Sequence, residues 1–166
     1  SDVPIYCESE VEAVIRRAFQ YAFDPAVQEY PAGGLPKLKF HEIDTAPFQV
    51  LGSPVTPLRL LHGRGNVLGF RFGDVAYCTD TNRIPAESEA LLHGLETLVL
   101  DGLRHEPHPT HFSLSEALEV VERLRPKRTL ITHISHRLEH EATSASLPTG
   151  VEMAYDGLRI PLSGTY

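Results

Sequence analysis

The sequence has little cysteine, no long apolar run and no leader-like opening. Its two cysteines, Cys7 and Cys78, lie in separate apolar segments. This predicts two buried free thiols in a reducing compartment, because a disulfide framework needs more, regularly spaced cysteines. No stretch approaches the roughly 20 apolar residues that span a bilayer, and SDVPIYCESE lacks the basic and apolar regions of a signal peptide. We therefore expect a cytoplasmic protein with no membrane association.

The sequence also has no block of basic residues, and its formal net charge is −7. Proteins that bind nucleic acid usually meet the phosphate backbone with a basic surface, so nucleic acid is disfavoured as a partner. The 166 residues are 42% hydrophobic and 22% charged, which is enough for one hydrophobic core. We expect a single domain over residues 1–166.

Histidine is the residue that the sequence has in unusual number. There are nine histidines, and six of them lie between His105 and His140. Histidine is the commonest metal ligand and the usual acid–base side chain near neutral pH. The cluster therefore indicates where a catalytic or metal-binding site is to be sought.

Short apolar segments bounded by turn residues predict a meander of strands, which then alternates with helices. This order predicts an α/β protein with two mixed sheets between helices, an αββα sandwich. Helices are predicted at 9–23 (capped by Ser9), 85–93, 114–125 and 138–142. Strands are predicted at 3–7, 38–43, 48–51, 55–61, 67–72, 75–78, 97–100 and 128–132, with a closing hairpin of 151–154 and 158–162.

Three ligand-type residues, His62, Asp80 and His133, stand at the ends of predicted strands. Each alone has an ordinary interpretation, since Asp is a common turn residue and a lone histidine is more often hydrogen-bonded than metal-bound. Sites in α/β proteins collect beyond the carboxyl ends of strands. Taken together, the three residues favour a hydrolytic metal centre.

His111 stands two residues before Ser113, which is predicted to cap a helix in a capping box with Glu116. A helix N-terminus favours a neutral imidazole and attracts anions such as phosphate. This position fits a general acid or an anion-binding histidine. The alternative is an ordinary histidine of a surface loop.

Several segments resemble a known family. The run VTPLRLLHGRGNVLGFRFGDVAYCTDT resembles the third and fourth motifs of the metallo-β-lactamase superfamily, and LITHISH resembles its fifth. DGLRHEPHPTHFSLSEAL and LPTGVEMAYDGLRIPL resemble the branch that contains the phosphoribosyl 1,2-cyclic phosphate phosphodiesterase of the carbon–phosphorus lyase pathway. The resemblance extends from about Val3 to Leu162 and implies a metallo-β-lactamase-like fold.

The resemblance also implies roles for individual residues. His62 is expected to bind one divalent metal ion and His133 the other, with Asp80 bridging the two. His111 is expected to donate a proton to the leaving oxygen while a hydroxide held by the two ions attacks. The ions are expected to be Zn²⁺ or Mn²⁺, since His and Asp ligands suit both. Supporting contacts to the metal ligands, or contacts to the substrate, are expected of Asp101, Arg104, His108 and His136.

One motif of this family has no counterpart in the sequence. The first motif, His-x-His-x-Asp-His, supplies four metal ligands, and it precedes the strand that corresponds to VPIYC. We therefore expect the chain to represent the C-terminal two-thirds of the fold, with the N-terminal part missing and metal binding absent or partial. Such a chain is expected to be inactive alone and to form homo-oligomers that cover its exposed sheet faces.

Three functions remain open at this point. The first is a metal-dependent phosphodiesterase acting on a small cyclic phosphate such as a phosphoribosyl cyclic phosphate. The second is a transfer-RNA 3′-processing nuclease, which shares the motifs but is disfavoured by the acidic charge. The third is a non-catalytic remnant of the fold, although a scaffold has no need of His62, Asp80, His111 and His133.

Overall fold

The computed structural model describes residues 2–24 and 36–162. The chain divides into two compact units, with the boundary between Ala46 and Pro47. Among the described residues, no helix is long and apolar enough to cross a membrane. The single domain over residues 1–166 stays a prediction.

The first unit contains a two-stranded parallel sheet and one helix. Strand β1 (Val3–Cys7) pairs with β2 (Leu38–Glu42), and helix α1 (Ser9–Ala18) follows β1. The prediction for this helix was wrong in two details. Its N-cap is Glu8 rather than Ser9, and it ends at Ala18, because Phe19 leaves helical geometry (φ −120°, ψ 43°) before a short 3₁₀ turn.

The second unit is built on a seven-stranded mixed sheet. Its spatial order follows the chain, β3-β4-β5-β6-β7-β8-β9. The strands are β3 (Phe48–Val50), β4 (Ser53–His62), β5 (Gly65–Phe72), β6 (Val75–Cys78), β7 (Thr97–Asp101), β8 (Arg128–Thr132) and β9 (Val151–Met153). The helices of this unit are α2 (Ala86–Ala90), α3 (Leu114–Leu124) and α4 (His140–Ser146).

The direction of the strands determines where their ends meet. Strands β3 to β6 are successively antiparallel, whereas β6 to β9 are parallel. Because two reversals separate β4 from β6, β4 runs in the same direction as β6, β7 and β8. The carboxyl ends of these four strands therefore lie at one edge of the sheet, where α/β proteins generally place their sites.

Apolar residues of the central strands form the core that stabilises the sheet. All five residues of β7 are buried, as expected for a central parallel strand. Helix α3 covers this core with Leu114, Ala117, Val120 and Leu124. Its predicted capping box is confirmed, since Ser113 and Glu116 exchange hydrogen bonds.

The α/β class is confirmed, and two further parts of the sequence-based prediction were wrong. The final hairpin does not form, because β9 ends at Met153 and pairs in parallel with β8. The predicted turn at Asp156–Gly157 is present, with Leu158 N donating to Tyr155 O, but residues 158–162 form no strand. Helix α4 begins at His140 rather than 138, because Glu139 caps it by accepting from two backbone amides.

Candidate metal centre

Residues from the four co-directional strand ends come together at one edge of the sheet. His62 is the last residue of β4, Asp80 lies two residues after β6, Asp101 ends β7, and His133 directly follows β8. The loop after β7 adds His111. The fold thus brings together the three predicted metal ligands, the predicted proton donor His111 and Asp101, for which only a supporting or substrate-binding role was expected.

The centre of this group is a pair of facing imidazoles. His62 Nε2 and His111 Nε2 are 3.2 Å apart, and the two rings are edge to face with centroids 4.7 Å apart. His62, Asp80 and His111 each offer a ligand atom, and these atoms all lie within 4.8 Å of one another. Imidazole nitrogen and carboxylate oxygen are ligands of Zn²⁺, so the donor set fits a divalent metal ion.

His133 borders this group from the strand beside it. Its Nε2 is 3.6 Å from Asp80 Oδ1, and its ring stacks on that of His111 with centroids 4.7 Å apart. About half of the Asp80 side chain is exposed. Asp80 therefore lies within reach of histidines from two other strand ends, His62 and His133.

Asp80 and His133 also share an unusual backbone conformation. Their φ angles are +58° and +55°, in the left-handed region that side-chain-bearing residues rarely adopt. Both residues stand just beyond parallel strands, where the positive φ turns the chain out of the sheet. Such backbone strain is concentrated at functional sites.

Asp101 contacts His111 on the Nδ1 side of its ring. The Asp101 side chain is fully buried, and its Oδ2 is 3.2 Å from His111 Nδ1. The backbone N–H of Thr81 donates to the same oxygen, while Oδ1 has no hydrogen-bond partner among the residues that the structure describes. Burial raises the pKa of Asp101 to about 7, with the charge of Asp80 adding to the rise.

The surroundings of His111 lower its pKa, whereas those of Asp101 raise the pKa of that carboxyl. Burial lowers the pKa of this histidine, and the neighbouring His133 and His62 lower it further. A protonated His111 is therefore a stronger acid than a histidine in water, and a neutral one is the favoured form at neutral pH.

The sequence reasoning passed over Thr81 and Asn82 as structural parts of this site. Thr81 is fully buried, and its Oγ1 lies 2.9 Å from Leu61 O and 3.0 Å from Arg83 O. Asn82 accepts from Gly63 N and donates to Pro109 O. Both residues belong to the polar segment that follows Cys78. The Thr81 side chain joins the end of β4 to the loop that carries Asp80, and Asn82 joins it to the loop that carries His111.

Gly63 shows how closely these loops approach one another. Its φ is +63°, and a Cβ at this position would meet Thr110 Cγ2 at 2.9 Å. A larger residue would therefore push apart the loops that bear His62 and His111. The close approach explains why glycine follows the histidine at this strand end.

The remaining predicted site residues lie around this centre. His108 has its ring 5.2 Å from that of His111, and its Nδ1 contacts Thr110. The Arg104 guanidinium donates to the carbonyls of Glu106 and Pro107, which braces the loop. His136 is exposed on the loop after β8.

Comparison with known proteins places this geometry in context. The family described as beta-lactamase superfamily domain matches residues 1–134. A solved diphosphatase of the PhnP family is 37% identical, with a TM-score of 0.85 over 95% of this chain and 57% of its own. The metallo-β-lactamase fold protein YhfI from Bacillus subtilis is 17% identical, with a TM-score of 0.68 over 93% of this chain and 63% of its own.

A curated relative is much longer than this chain. The octanoyltransferase of Porphyromonas gingivalis is 32% identical over 160 residues, which are 95% of this chain but 32% of that protein. The chain thus spans about a third of that relative and a little over half of the solved diphosphatase. The similarity to both solved structures confirms the expected metallo-β-lactamase-like fold.

Proposed function

Because the chain belongs to the beta-lactamase superfamily domain family, whose fold is that of metal-dependent hydrolases, we propose that it carries part of the metal centre of a phosphodiesterase. The observation that carries this proposal is the group of His62, Asp80 and His111 ligand atoms within 4.8 Å. Two of these side chains come from strand ends and the third from the loop after β7, and polar side chains that converge in this way cost desolvation unless they bind something.

The proposed ligands are His62 for one divalent ion, His133 for a second, and Asp80 between them. The proposed ions are Zn²⁺ or Mn²⁺, which histidine and carboxylate ligands accommodate. When bound, they supply charge stabilisation for the phosphoryl oxygens and a water that ionises near neutral pH. The protein's own contribution is to hold the ligands in place through Thr81 and Asn82, which join the strand ends.

His111 is the proposed proton donor in the completed centre. Its Nδ1 faces Asp101, so its Nε2 is the atom that faces the reacting groups. The burial that lowers its pKa makes the protonated ring a better donor to an alkoxide leaving group. A positioned acid contributes roughly 10²–10⁴-fold to such a step.

The proposed substrate is a small cyclic phosphate ester, such as a phosphoribosyl cyclic phosphate. The PhnP-family diphosphatase supports a phosphate-containing substrate, because it is 37% identical over 95% of this chain. His108 and His136 are the proposed contacts for the phosphate. We also propose that the chain self-associates and that hydrolysis requires the His-x-His-x-Asp-His motif.

Two proteins test this proposal: the 166-residue chain and a longer chain that carries the His-x-His-x-Asp-His motif upstream. Divalent metal content is measured by mass spectrometry, and hydrolysis of bis-p-nitrophenyl phosphate and of a cyclic ribose phosphate is followed. We expect hydrolysis by the longer chain and its loss in Asp80→Asn, a substitution that keeps the side-chain shape and tolerates positive φ. A longer chain that binds no divalent metal would end the enzymatic interpretation.

A further inference from the structure

The distance between His62 Nε2 and His111 Nε2 also fits a role for His111 other than that of the proposed proton donor. Two imidazole nitrogens 3.2 Å apart either share a proton or coordinate one ion. In a tetrahedral zinc site with Zn–N distances of about 2.0–2.1 Å, neighbouring ligand nitrogens are roughly 3.3–3.4 Å apart. The observed separation of 3.2 Å is therefore close to that of two ligands of a single ion.

The contact behind His111 determines which of its nitrogens is available. Asp101 Oδ2 faces Nδ1 at 3.2 Å, and this carboxylate is fully buried. When the carboxylate accepts the Nδ1 proton, the neutral ring presents the Nε2 lone pair toward His62 and Asp80. A carboxylate that orients a histidine in this way is the usual support of a metal-bound imidazole.

Asp80 supplies the third donor, whereas His133 does not belong to the same group. The ligand atoms of His62, Asp80 and His111 all lie within 4.8 Å of one another. His133 contacts two of these residues, with its Nε2 3.6 Å from Asp80 Oδ1 and its ring stacked on that of His111, but it is not one of the three. Three protein ligands with a fourth position left for water or substrate is the arrangement of a catalytic zinc site.

We propose that the 166-residue chain binds one divalent ion of the Zn²⁺ class through His62, Asp80 and His111, with His111 as a ligand and Asp101 as its positioning residue. This rests on the proposed function for the metal centre and adds a restriction to it. Nε2 of His111 cannot hold an ion and donate a proton at once. An ion in this position therefore keeps the proton donor out of use.

The test is cobalt binding by this chain after treatment with a chelator. Co²⁺ titration followed by visible absorption is expected to give one ion per chain in a four-coordinate spectrum. His111→Gln is expected to weaken binding at least about 100-fold, and Asp101→Asn about 10–100-fold. His105→Gln is the matched control, because it is exposed in the same loop and is expected to bind as the unmodified chain does.

The outcomes separate this inference from the proposed function. If His111→Gln binds cobalt normally while His62→Gln or His133→Gln does not, His111 is not a ligand and the inference is overturned, although the metal centre stands. If His62→Gln and Asp80→Asn also bind normally, the proposed function fails as well. A second measurement needs no variant: nitrogen NMR of the unmodified chain must show the His111 Nε2 resonance shifting with one equivalent of Zn²⁺. An unshifted resonance overturns the inference even if the variants fail to fold.

Discussion

Asp101 Oδ2 lies 3.2 Å from His111 Nδ1, and this carboxylate is fully buried at the end of β7. The contact joins the most buried acid of the site to the histidine that faces the proposed metal position. Its second oxygen, Oδ1, has no hydrogen-bond partner within residues 2–24 and 36–162. A buried carboxyl with one oxygen unsatisfied is costly to keep ionised, and this cost has a measurable dependence on pH.

Replacement of Asp101 by asparagine is expected to change how stability depends on pH in the metal-free chain. Burial raises the pKa of Asp101 from 3.8 to about 7, so between these values the folded state binds a proton that the unfolded state has released. Stability therefore falls as pH rises from about 4 to 7, by on the order of a few kcal/mol. Asp101→Asn removes this fall. Urea unfolding at pH 4.5, 6 and 7.5 in chelator checks it, and parallel pH profiles for the two proteins would contradict it.

Loss of the α3 cap is expected to destabilise the second unit. Ser113 Oγ accepts from Glu116 N and donates to Glu116 Oε2, and Ser113 is fully buried. Ser113→Ala removes this partner from the first turn, which is expected to cost about 1–2 kcal/mol. Thermal unfolding measures the loss. The matched control is Glu119→Ala at an exposed position of the same helix, and the prediction fails if both substitutions cost the same.

Much of the fold followed from local pattern, and the failures have specific causes. The continuous apolar run of β7 and the cap at Ser113 were correctly interpreted, because burial and capping leave a mark in the sequence. The segment after Asp156–Gly157 was misread as a strand because its turn is real. The residue pattern of 158–162 could not reveal that β9 pairs with β8 instead of with this segment.

The candidate site was predictable in its residues but not in its arrangement. His62, Asp80 and His133 were visible as polar residues that follow apolar strands. The 3.2 Å approach of His62 and His111 was not, because it depends on the direction of β4 and on the loop contact at Gly63. Nor does sequence spacing reveal that Asp101 faces Nδ1, since the two residues are joined by an irregular loop.

The strained backbone at His133 is expected to lower the free energy of unfolding while it positions a proposed metal ligand. A φ of +55° is unfavourable for a residue with a Cβ, and glycine adopts it without this cost. His133→Gly is therefore expected to raise the free energy of unfolding of the metal-free chain by up to about 1 kcal/mol while removing a proposed ligand. His136→Gly, on the same loop without a positive φ, is expected to lower it. Urea denaturation in chelator distinguishes the two, and a loss of stability in both would contradict the strain argument.

The two free thiols are expected to report separately on the two units. Cys7 lies in the first unit and Cys78 in the second, and both are buried. Burial raises the pKa of both thiols, that of Cys78 to about 12, and the thiolate is the reactive form. At pH 8 the native chain is therefore expected to react with Ellman's reagent only through opening of the structure, whereas the unfolded chain releases two equivalents at once.

Cys7→Ser leaves Cys78 as the reporter of the second unit. If Cys7 reacts faster than Cys78 in mild urea, the first unit opens on its own; equal rates mean that the units open together, and rapid reaction of native Cys78 would contradict its burial.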